Sequence, residues 1–401
     1  NKGKMEIQNF IKNNNIENYD NLKNTLEASP YNLKFKEDAD FPDIFLVHPS
    51  ETSDLTLKLV RECNGLILEK STFKILCYTF EKCEDGLTLP ESLDKDNLFI
   101  EKALEGTLVR YYCHNDKWIL STKKCIDAAK SRWISDKSFY ELFLDCVKNV
   151  CFDVNLLNKN YCYSFLILHN ENNIVVKYKS PLLYHISTRD MTTLKEMNHS
   201  IGINTISKEY VKREDIDDTI KMIMETQSLD IEGYIFVNAN GKRWKLRTPI
   251  FNRARELWGN TNNRIFRYIE LRKDTNLLHE YLMYFPEDKY DFMNYEQKIS
   301  AVANDISHYY SEKHILKKDI KIPFYYAKFI YKIHGEFFKD KVKVNYNRIM
   351  IDLLQVDTKQ MCHMINNYEK SFFEKNNVQN QTQPQETEQV EIEHDPTITG
   401  F

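Results

Sequence analysis

The chain has 401 residues, of which 42% are hydrophobic and 13% aromatic, and its formal net charge is −4. This length predicts two domains, and the apolar content excludes a disordered chain. No apolar run approaches the roughly 20 residues that cross a bilayer, so we expect no membrane partner and a cytoplasmic location.

From Arg61 to Pro249 the sequence predicts mainly β-strands, separated by polar turns such as HNENN and NANG. Helical spacing interrupts them at CIDAAKSRWISDKSFYELFLDCVKNV and REDIDDTIKMIMETQ. This order predicts an α+β domain with an antiparallel sheet over residues 1–250. The predicted strands are RECNGLILE, FKILCYTF, FIEKALEGTLVRYY, KWILSTK, YCYSFLIL, NNIVVKY, LLYHIST, EGYIFVN and KRWKLRT.

Beyond residue 250 the pattern becomes helical, because apolar residues recur at spacings of three and four. We therefore expect an all-helical C-terminal domain over residues 251–375. The following tail, 376–401, carries five carboxylates and no Lys or Arg. It offers too little apolar surface to offset the entropy lost on ordering, so we expect it to be flexible. The predicted helical segments are FNRARELWGN, LLHEYLMYF, YEQKISAVANDISHYYSEKHI, FYYAKFIYKIHGEFF and YNRIMIDLL.

The strand FIEKALEGTLVRYY carries charges and a glycine where a buried strand normally carries apolar side chains. Side chains alternate between the two faces of a strand, so Glu101, Ala103 and Glu105 are predicted to share one face, opposite Lys102. Gly106 follows at once and suits the close approach of a ligand to the backbone. The stretch therefore indicates a ligand site.

Further segments carry charge in a similar arrangement. IEGYIFV places Glu232 and a glycine at the start of a strand. KRWKLRTP places Arg243, Lys245 and Arg247 on one strand face, and RECNGLIL upstream is a strand that opens on polar groups. Carboxylates beside clustered cations suit a nucleotide phosphate and a hard divalent cation.

In this order and at this spacing, the segments resemble the covalent nucleotidyltransferases, the superfamily of ATP-dependent RNA and DNA ligases and mRNA-capping guanylyltransferases. Its hallmark is Lys-x-Asp/Glu-Gly, then a strand with Glu-Gly, then a Lys-x-Lys strand. Glu105 and Gly106 match the acidic residue and the glycine, and position 103 matches the nucleophilic lysine. The resemblance also implies a catalytic role for Lys245 and for Arg247, which stands where lysine is usual.

Position 103 is alanine in this chain. We interpret Ala103 as an engineered replacement of the nucleophilic lysine, which would leave the chain inactive in adenylylation. Two alternatives stay open: a naturally inactive relative, and a shifted register in which Lys102 attacks. An attacking amine must be unprotonated, a form that clustered cations and desolvation favour.

Within the superfamily, the ordered set resembles the RNA ligase 1 group of phage and viral end-joining enzymes, over roughly residues 40–260. This resemblance implies ATP and Mg²⁺, or Mn²⁺, as cofactors, with Glu232 holding the metal or the nucleotide. The further nucleotide-binding residues that it implies are Arg61, Asn64, Lys82, Glu101, Lys102, Glu105, Gly106 and Lys123.

The chain departs from the group's pattern at two of these strands. Asn64 stands where the group usually has an arginine, and Arg61 is the candidate substitute. Leu166 stands where a glutamate usually contacts the ribose, and His169 or Glu171 is the candidate substitute. These departures leave both nucleotide contacts open.

The helical second half favours an RNA ligase over capping enzymes and most DNA ligases, whose second domain is a barrel of short strands. The stretch KKDIKIPFYYAKFIYKIHGEFFKDKVKVNYNR suits RNA contact through charge and stacking, or a solvated helix face over an aromatic core. We predict an ATP-dependent RNA ligase, a monomer that joins RNA 3′-hydroxyl and 5′-phosphate ends through lysyl-AMP and adenylylated RNA, in the cytoplasm of a cell or of a virus-infected host. The alternatives are a capping guanylyltransferase and a non-catalytic RNA-binding protein on a degenerate ligase fold.

Overall fold

The computed structural model describes residues 5–90 and 93–381. The chain divides into two compact units, residues 1–262 and 263–401. The first unit extends past residue 250, the predicted boundary, because helix Pro249–Trp258 buries Phe251, Ala254 and Leu257. Residues 382–401, most of the predicted acidic tail, lie outside the described residues, and residues 376–381 belong to a helix.

The described part of the first unit contains all fifteen strands that the structure shows. In chain order they are β1 Leu33–Lys36, β2 Ile44–Pro49, β3 Leu66–Glu69, β4 Ile75–Cys77, β5 Glu84–Gly86, β6 Leu98–Ala103, β7 Thr107–His114, β8 Lys117–Thr122, β9 Tyr161–Leu168, β10 Leu182–Asp190, β11 Glu196–Met197, β12 Asn204–Thr205, β13 Lys208–Val211, β14 Gly233–Val237 and β15 Arg243–Arg247.

Helices of the first unit are α1 Glu6–Asn13, α2 Tyr19–Glu27, α3 Lys58–Glu62, α4 Phe139–Asn149, α5 Ile216–Met224 and α6 Pro249–Trp258. Those of the second unit are α7 Arg264–Leu271, α8 Thr275–Tyr284, α9 Lys289–Tyr310, α10 Phe324–Asp340, α11 Tyr346–Leu353 and α12 Thr358–Gln381. A π-helical turn, Ser311–Ile315, continues α9. Within the described residues, no helix combines the length and apolar character needed to cross a bilayer.

The strands form three sheets, and most neighbouring strands are antiparallel. The first has the order β1-β2-β3-β4, the second β11-β10-β9-β7-β8 with β12 beside β10, and the third β13-β6-β14-β15-β5. Parallel pairing occurs at β10–β12 and β15–β5. The first unit is therefore a mixed α and β domain built on antiparallel sheets, as the sequence predicts.

The predicted strand FIEKALEGTLVRYY is in fact two strands in two sheets. β6 ends at Ala103 and belongs to the third sheet, while β7 begins at Thr107 and pairs with β9 of the second. At the join, a Cβ on Gly106 would lie 2.6 Å from the carbonyl oxygen of Ile167, so only glycine fits. Because the strand breaks before Glu105, the prediction that Glu105 shares a face with Ala103 is wrong.

Two other local predictions are also corrected. NNIVVKY forms no strand. Its backbone N–H groups at Val175 and Val176 donate to the Glu105 carboxylate, at 2.9 and 2.7 Å, and so satisfy a side chain rather than a sheet. The long predicted helix before it shortens to α4, because a capping box of Ser138 and Glu141 starts the helix there.

In the third sheet, residues of β6, β14 and β15 lie side by side in rows. Gly233 of β14 lies between Ala103 of β6 and Arg247 of β15. Two residues along, Ile235 lies between Glu101 and Lys245. The opposite face of these strands carries a buried apolar cluster that packs against α5 and contains Leu98, Ile100, Phe236, Trp244, Leu246, Ile216 and Ile223. Burial of this face fixes which side chains the other face presents, since a one-residue slip would reverse them.

We expect Gly233→Ala to destabilise the first unit. The added Cβ would lie 2.1 Å from the Leu246 carbonyl oxygen and 2.8 Å from Arg247 Cα, so β15 would have to move. Such overpacking costs about 1–3 kcal/mol or more in the free energy of unfolding, measured by urea denaturation.

Gly335→Ala is the matched control. Gly335 lies inside α10, and its added Cβ meets nothing within 4 Å. Alanine in a helix interior should instead stabilise by about 0.5–1 kcal/mol. An unchanged unfolding midpoint in Gly233→Ala would contradict the close strand approach.

Candidate functional site

A cavity in the first unit, which we call the main cavity, has a volume of about 620 Å³. Strands of the second and third sheets and the loop before α4 line it. Its charged residues are Glu101, Lys102, Lys123, Lys124, Arg132, Glu232, Arg243 and Lys245, and its large apolar residues include Phe80, Leu104, Leu108, Trp133, Phe139, Leu166, Ile186, Ile206 and Ile235. A ligand with an apolar ring and an anionic group suits such a lining.

A smaller cavity of about 250 Å³, the lysine cavity, adjoins the main cavity through Cys83, Lys123, Lys124 and Lys245, which line both. Its other lining residues are His48, Pro49, Asn64, Lys82 and Asp85. Four lysines against one carboxylate make this cavity strongly basic. An anion such as a phosphate group is the ligand that this charge attracts.

The predicted site residues divide between these cavities. Among the described residues, seven line the main cavity: Glu101, Lys102, Ala103, Gly106, Lys123, Glu232 and Lys245. Asn64 and Lys82 line the lysine cavity, together with two of those seven. Arg61, Glu105 and Arg247 line neither.

Position 103 lies at the wall of the main cavity, at the end of β6. Its carbonyl oxygen accepts a hydrogen bond of 2.9 Å from the backbone N–H of Glu232, so the two predicted site segments are joined through the backbone. The Ala103 side chain is buried and supplies no reactive group. Lys102 pairs in the sheet with Tyr234, whose neighbour on β15 is Leu246, and therefore belongs to the face that carries the apolar cluster.

The Glu232 carboxylate binds both predicted cations of β15. Lys245 Nζ and Arg247 Nε each donate to it at 3.1 Å. Arg247 also donates to Asp85 at 2.6 Å and lines neither cavity. Lys245 and Arg243 are thus the β15 cations that line the main cavity, and Arg247 supports Glu232.

Glu101 forms an ion pair inside the wall of the main cavity. Its carboxylate binds the guanidinium of Arg243, and both side chains are buried. The same guanidinium lies 4.4 Å from the ring centre of Phe80. Glu101 therefore holds Arg243 in place, and any direct contact of Glu101 with a ligand would have to break this pair.

Lys123 projects from the end of β8 into both cavities and is partly buried. Its amine lies 5.6 Å from the Phe80 ring centre, and no described carboxylate lies within ion-pair distance of it. Burial, and then the neighbouring charges of Lys245, Arg110 and Arg243, lower the pKa of Lys123 to about 8. A phosphate group would relieve this repulsion.

Glu105 and Arg61 have structural partners outside the cavities. The Glu105 carboxylate accepts the Val175 and Val176 N–H groups, and burial raises its pKa although these bonds act against the rise. The Arg61 guanidinium donates to Glu81 at 3.0 Å and to the carbonyl oxygens of residues 55 and 56. Arg61 thus does not take the place of the arginine that Asn64 replaces.

The two candidate substitutes for a ribose contact also point elsewhere. Leu166 lines the main cavity, as the resemblance to the group implies. His169 is 2% exposed and binds Asp145 at 3.2 Å, while Lys137 bridges Asp145 and Glu171 at 2.8 and 2.9 Å. Neither substitute lines the main cavity, so its wall near Leu166 remains apolar.

Sequence reasoning missed many of the residues that line the cavities, among them Lys124, Arg132, Trp133, Phe80 and His48. Arg132 and Trp133 lie in a loop that the sequence predicts as helix, and Trp133 is 43% exposed. Phe80 precedes the predicted Lys82, and His48 lies on β2, where its Nε2 is buried without a hydrogen-bond partner among the described residues. The sequence signal for Trp133 was a tryptophan among charged and polar residues, KSRWISDK.

No family model matches the chain. An immediate-early protein ICP-46 homolog of Invertebrate iridescent virus 6 is 25% identical over 335 residues, 73% of this chain and 69% of that protein. A protein of African swine fever virus, provisionally named RNA ligase, is 28% identical over 160 residues, 34% of this chain. The resemblance to the ATP-dependent RNA ligases is confirmed. The aligned part spans only 35% of the African swine fever virus protein, so its activity does not transfer by alignment alone.

Among solved structures, an archaeal ATP-dependent RNA ligase overlaps 70% of this chain and 79% of its own, with 12% identity and a TM-score of 0.43. At that score the overlap carries no argument about fold or function. The sequence relatives show what the chain is similar to, and the cavities described above carry the argument about chemistry.

We expect the Lys123 amine to titrate near pH 8, well below the value of about 10.4 usual for lysine. Acetylation by acetic anhydride across a pH series, followed by peptide mass spectrometry, measures this midpoint residue by residue. Lys245→Met should raise the midpoint, since it removes a neighbouring positive charge. A Lys123 midpoint above pH 10 in both proteins would contradict the cationic cluster.

Proposed function

We propose that this chain is an ATP-dependent RNA ligase in which the first unit binds ATP and the second contacts RNA. The observation that supports this best is the main cavity, whose wall combines position 103, Glu232 and Lys245 and which adjoins the basic lysine cavity. The viral relatives favour an RNA ligase over other nucleotidyltransferases. The enzyme would act on RNA 3′-hydroxyl and 5′-phosphate ends.

In the first step of this reaction, an amine at position 103 attacks the α-phosphorus of ATP. A phosphorus–nitrogen bond forms, pyrophosphate leaves, and the amine loses its proton. Lys245 lies in the row next to position 103 on the same sheet face, where it would stabilise charge on the transferred phosphoryl group. Lys82, Lys123 and Lys124 would hold the outer phosphates.

A divalent cation fits beside Glu232. This residue lines the main cavity, and its backbone N–H donates to the carbonyl oxygen of residue 103. Carboxylate and phosphate oxygens are the ligands that Mg²⁺ prefers, and such an ion neutralises charge on the phosphates. Glu232 would hold this cation together with ATP, while Lys245 and Arg247 keep the carboxylate oriented.

With alanine at position 103, the chain would bind ATP but would not form the covalent AMP adduct. Lysine at 103 would direct its amine toward the same space, because the Ala103 side chain lies on the face of Glu101 and Lys245. The pairing of Lys102 with Tyr234 puts Lys102 on the other face of β6, which argues against the shifted-register alternative, whereas its place in the lining of the main cavity keeps that alternative open to the adduct experiment. A non-catalytic RNA-binding protein would have the same cavity geometry. Formation of an AMP adduct after restoration of lysine distinguishes a ligase from such a protein.

The chain should bind ATP with Mg²⁺ without a covalent product, and Ala103→Lys should gain one AMP when incubated with ATP. The added amine supplies the missing nucleophile to a cavity that already carries Glu232 and the cationic cluster. Intact-protein mass spectrometry measures the adduct, and parallel incubation with GTP separates a ligase from a capping guanylyltransferase. An AMP adduct on the unaltered chain would contradict the role of position 103.

Two further substitutions, each combined with Ala103→Lys, test the role of Lys245 in the main cavity. Lys245→Ala should slow adduct formation about 10²–10³-fold, the usual effect of losing one preorganised donor to a developing negative charge. Lys242→Ala is the control, because Lys242 lies just before β15, pairs with Glu84 at 2.9 Å and does not line the main cavity. Equal rates in both would show that β15 is only structural.

The second unit offers a surface suited to RNA along α10. Phe324, Tyr331 and Phe338 recur every seven residues and are 72, 54 and 58% exposed. Lys328 lies between the first two on the same helix face. Aromatic rings that alternate with lysines suit single-stranded RNA, because bases stack on the rings while the amines contact phosphates.

We expect the triple variant Lys328→Ala, Lys332→Ala and Lys339→Ala to weaken RNA binding and flatten its salt dependence. For single strands, log affinity falls with log salt at a slope of about −0.7 per phosphate contacted. Filter binding of a single-stranded RNA across a salt series measures both quantities. A triple variant at three exposed lysines on other helices, Lys289, Lys359 and Lys370, controls for net charge. Equal slopes in the two variants would remove α10 from the RNA site.

A further inference from the structure

A third cavity, which we call the serine cavity, lies against the main cavity. It has a volume of about 530 Å³ and shares Ile186 and Ile206 with the main cavity as lining residues. Its remaining wall comes from β10, from the segment around β11 and from the residues that join β12 to β13. No residue of this cavity outside the shared wall takes part in the nucleotide chemistry described above.

A β-bulge in β10 builds this cavity. The pairing of β10 with β9 shifts between His185 and Ser187, so Ile186 is an extra residue without a partner. A regular strand presents alternate residues to one face, yet His185, Ile186, Ser187 and Thr188 all line the serine cavity. Bulges of this kind redirect side chains beside functional sites.

The buried wall of the serine cavity contains an unused hydrogen-bonding group. Ser187 is 6% exposed, and its Oγ has no hydrogen-bond partner among the described residues. A buried hydroxyl in this state is unfavourable unless a ligand or a water completes it. The neighbouring His185 binds the Thr188 hydroxyl at 2.8 Å, and burial lowers the pKa of its ring.

The charge of the serine cavity differs from that of the lysine cavity. Glu196 and Lys208 are its charged lining residues among those described, and they offset each other. Its other polar groups include the amide of Asn198 and the ring of His199, which lies 6.0 Å from the ring centre of Tyr161. A neutral ligand with several hydrogen-bonding atoms suits this lining better than a phosphate does.

We propose that the serine cavity holds the terminal nucleoside of the RNA 3′ end, next to the nucleotide in the main cavity. The assignment rests on the proposed ligase function, which requires an RNA terminus close to the activated phosphate. A nucleoside is neutral, carries donors and acceptors on its base and sugar, and would contact Asn198 directly and the buried Ser187 Oγ after rotation of the serine side chain. The shared wall of Ile186 and Ile206 would separate the two bound nucleosides.

The test compares two fluorescein-labelled hexa-adenylates that differ only at the 3′-terminal nucleotide, which carries its base in one and is abasic in the other. Both have the same number of phosphates. The unaltered chain should bind the complete oligomer at least about fivefold more tightly by fluorescence anisotropy, as one added hydrogen-bonded group would give. Ser187→Ala and Asn198→Ala should remove this difference.

Two controls separate failure of this proposal from failure of the ligase function. Ser200→Ala, an exposed neighbour that does not line the cavity, should keep the preference, and ATP affinity measured by calorimetry should be unchanged in all variants. Equal affinity for both oligomers in the unaltered chain would overturn the proposal and leave ATP binding intact. Loss of ATP affinity in Ser187→Ala, or a second ATP site that Ser187→Ala removes, would also overturn it. Absence of any ATP binding would instead reject the proposed function.

Discussion

The register of β6, β14 and β15 is the constraint on which the rest of the site depends. Gly233 lets β15 approach so closely that no side chain fits between β14 and the Leu246 backbone. This approach places position 103 and Lys245 on one face, and the buried apolar cluster on the other face prevents the strands from slipping. Glu232, just before β14, then reaches both the backbone of Ala103 and the cations of β15.

The same register concentrates positive charge that the protein does not neutralise internally. Lys82, Lys123 and Lys124 have no described carboxylate within ion-pair distance, whereas Arg243 and Lys245 are paired. The depressed pKa of Lys123 shows that this arrangement disfavours its charged form in the folded state. The resulting loss of folding stability is fully present below pH 8 and fades as the pH rises toward the ordinary lysine value of about 10.4. A bound polyanion would reverse that effect, which is why the cluster favours a phosphate ligand.

Much of this site could be predicted from sequence, because its residues lie on short strands where side-chain alternation is reliable. Alternation placed Arg243, Lys245 and Arg247 on one face of their strand and Lys102 on the face opposite Ala103, and the pairing of β6, β14 and β15 has the same arrangement. It failed at Glu105, since β6 ends two residues earlier and the chain crosses to another sheet. The partners of Arg61 and His169 lie on distant segments or in loops, and no local pattern reports them. Trp133 and the bulge at Ile186 were not predicted either, because loops and irregular strands have no periodic sequence pattern.

The state of the site bears on the origin of alanine at position 103. A protein that had lost nucleotide chemistry would gain stability by replacing the unpaired lysines, since their mutual repulsion opposes folding. It would also have no need to keep Gly233 or the Glu232 contacts with β15. This chain retains the cavity, the cationic cluster and the close strand approach, and it lacks an amine at position 103 together with the arginine and the glutamate that Asn64 and Leu166 replace. Under the proposed function, the physical cost of the retained cationic cluster favours replacement of a functional lysine over gradual loss of activity in a degenerate fold.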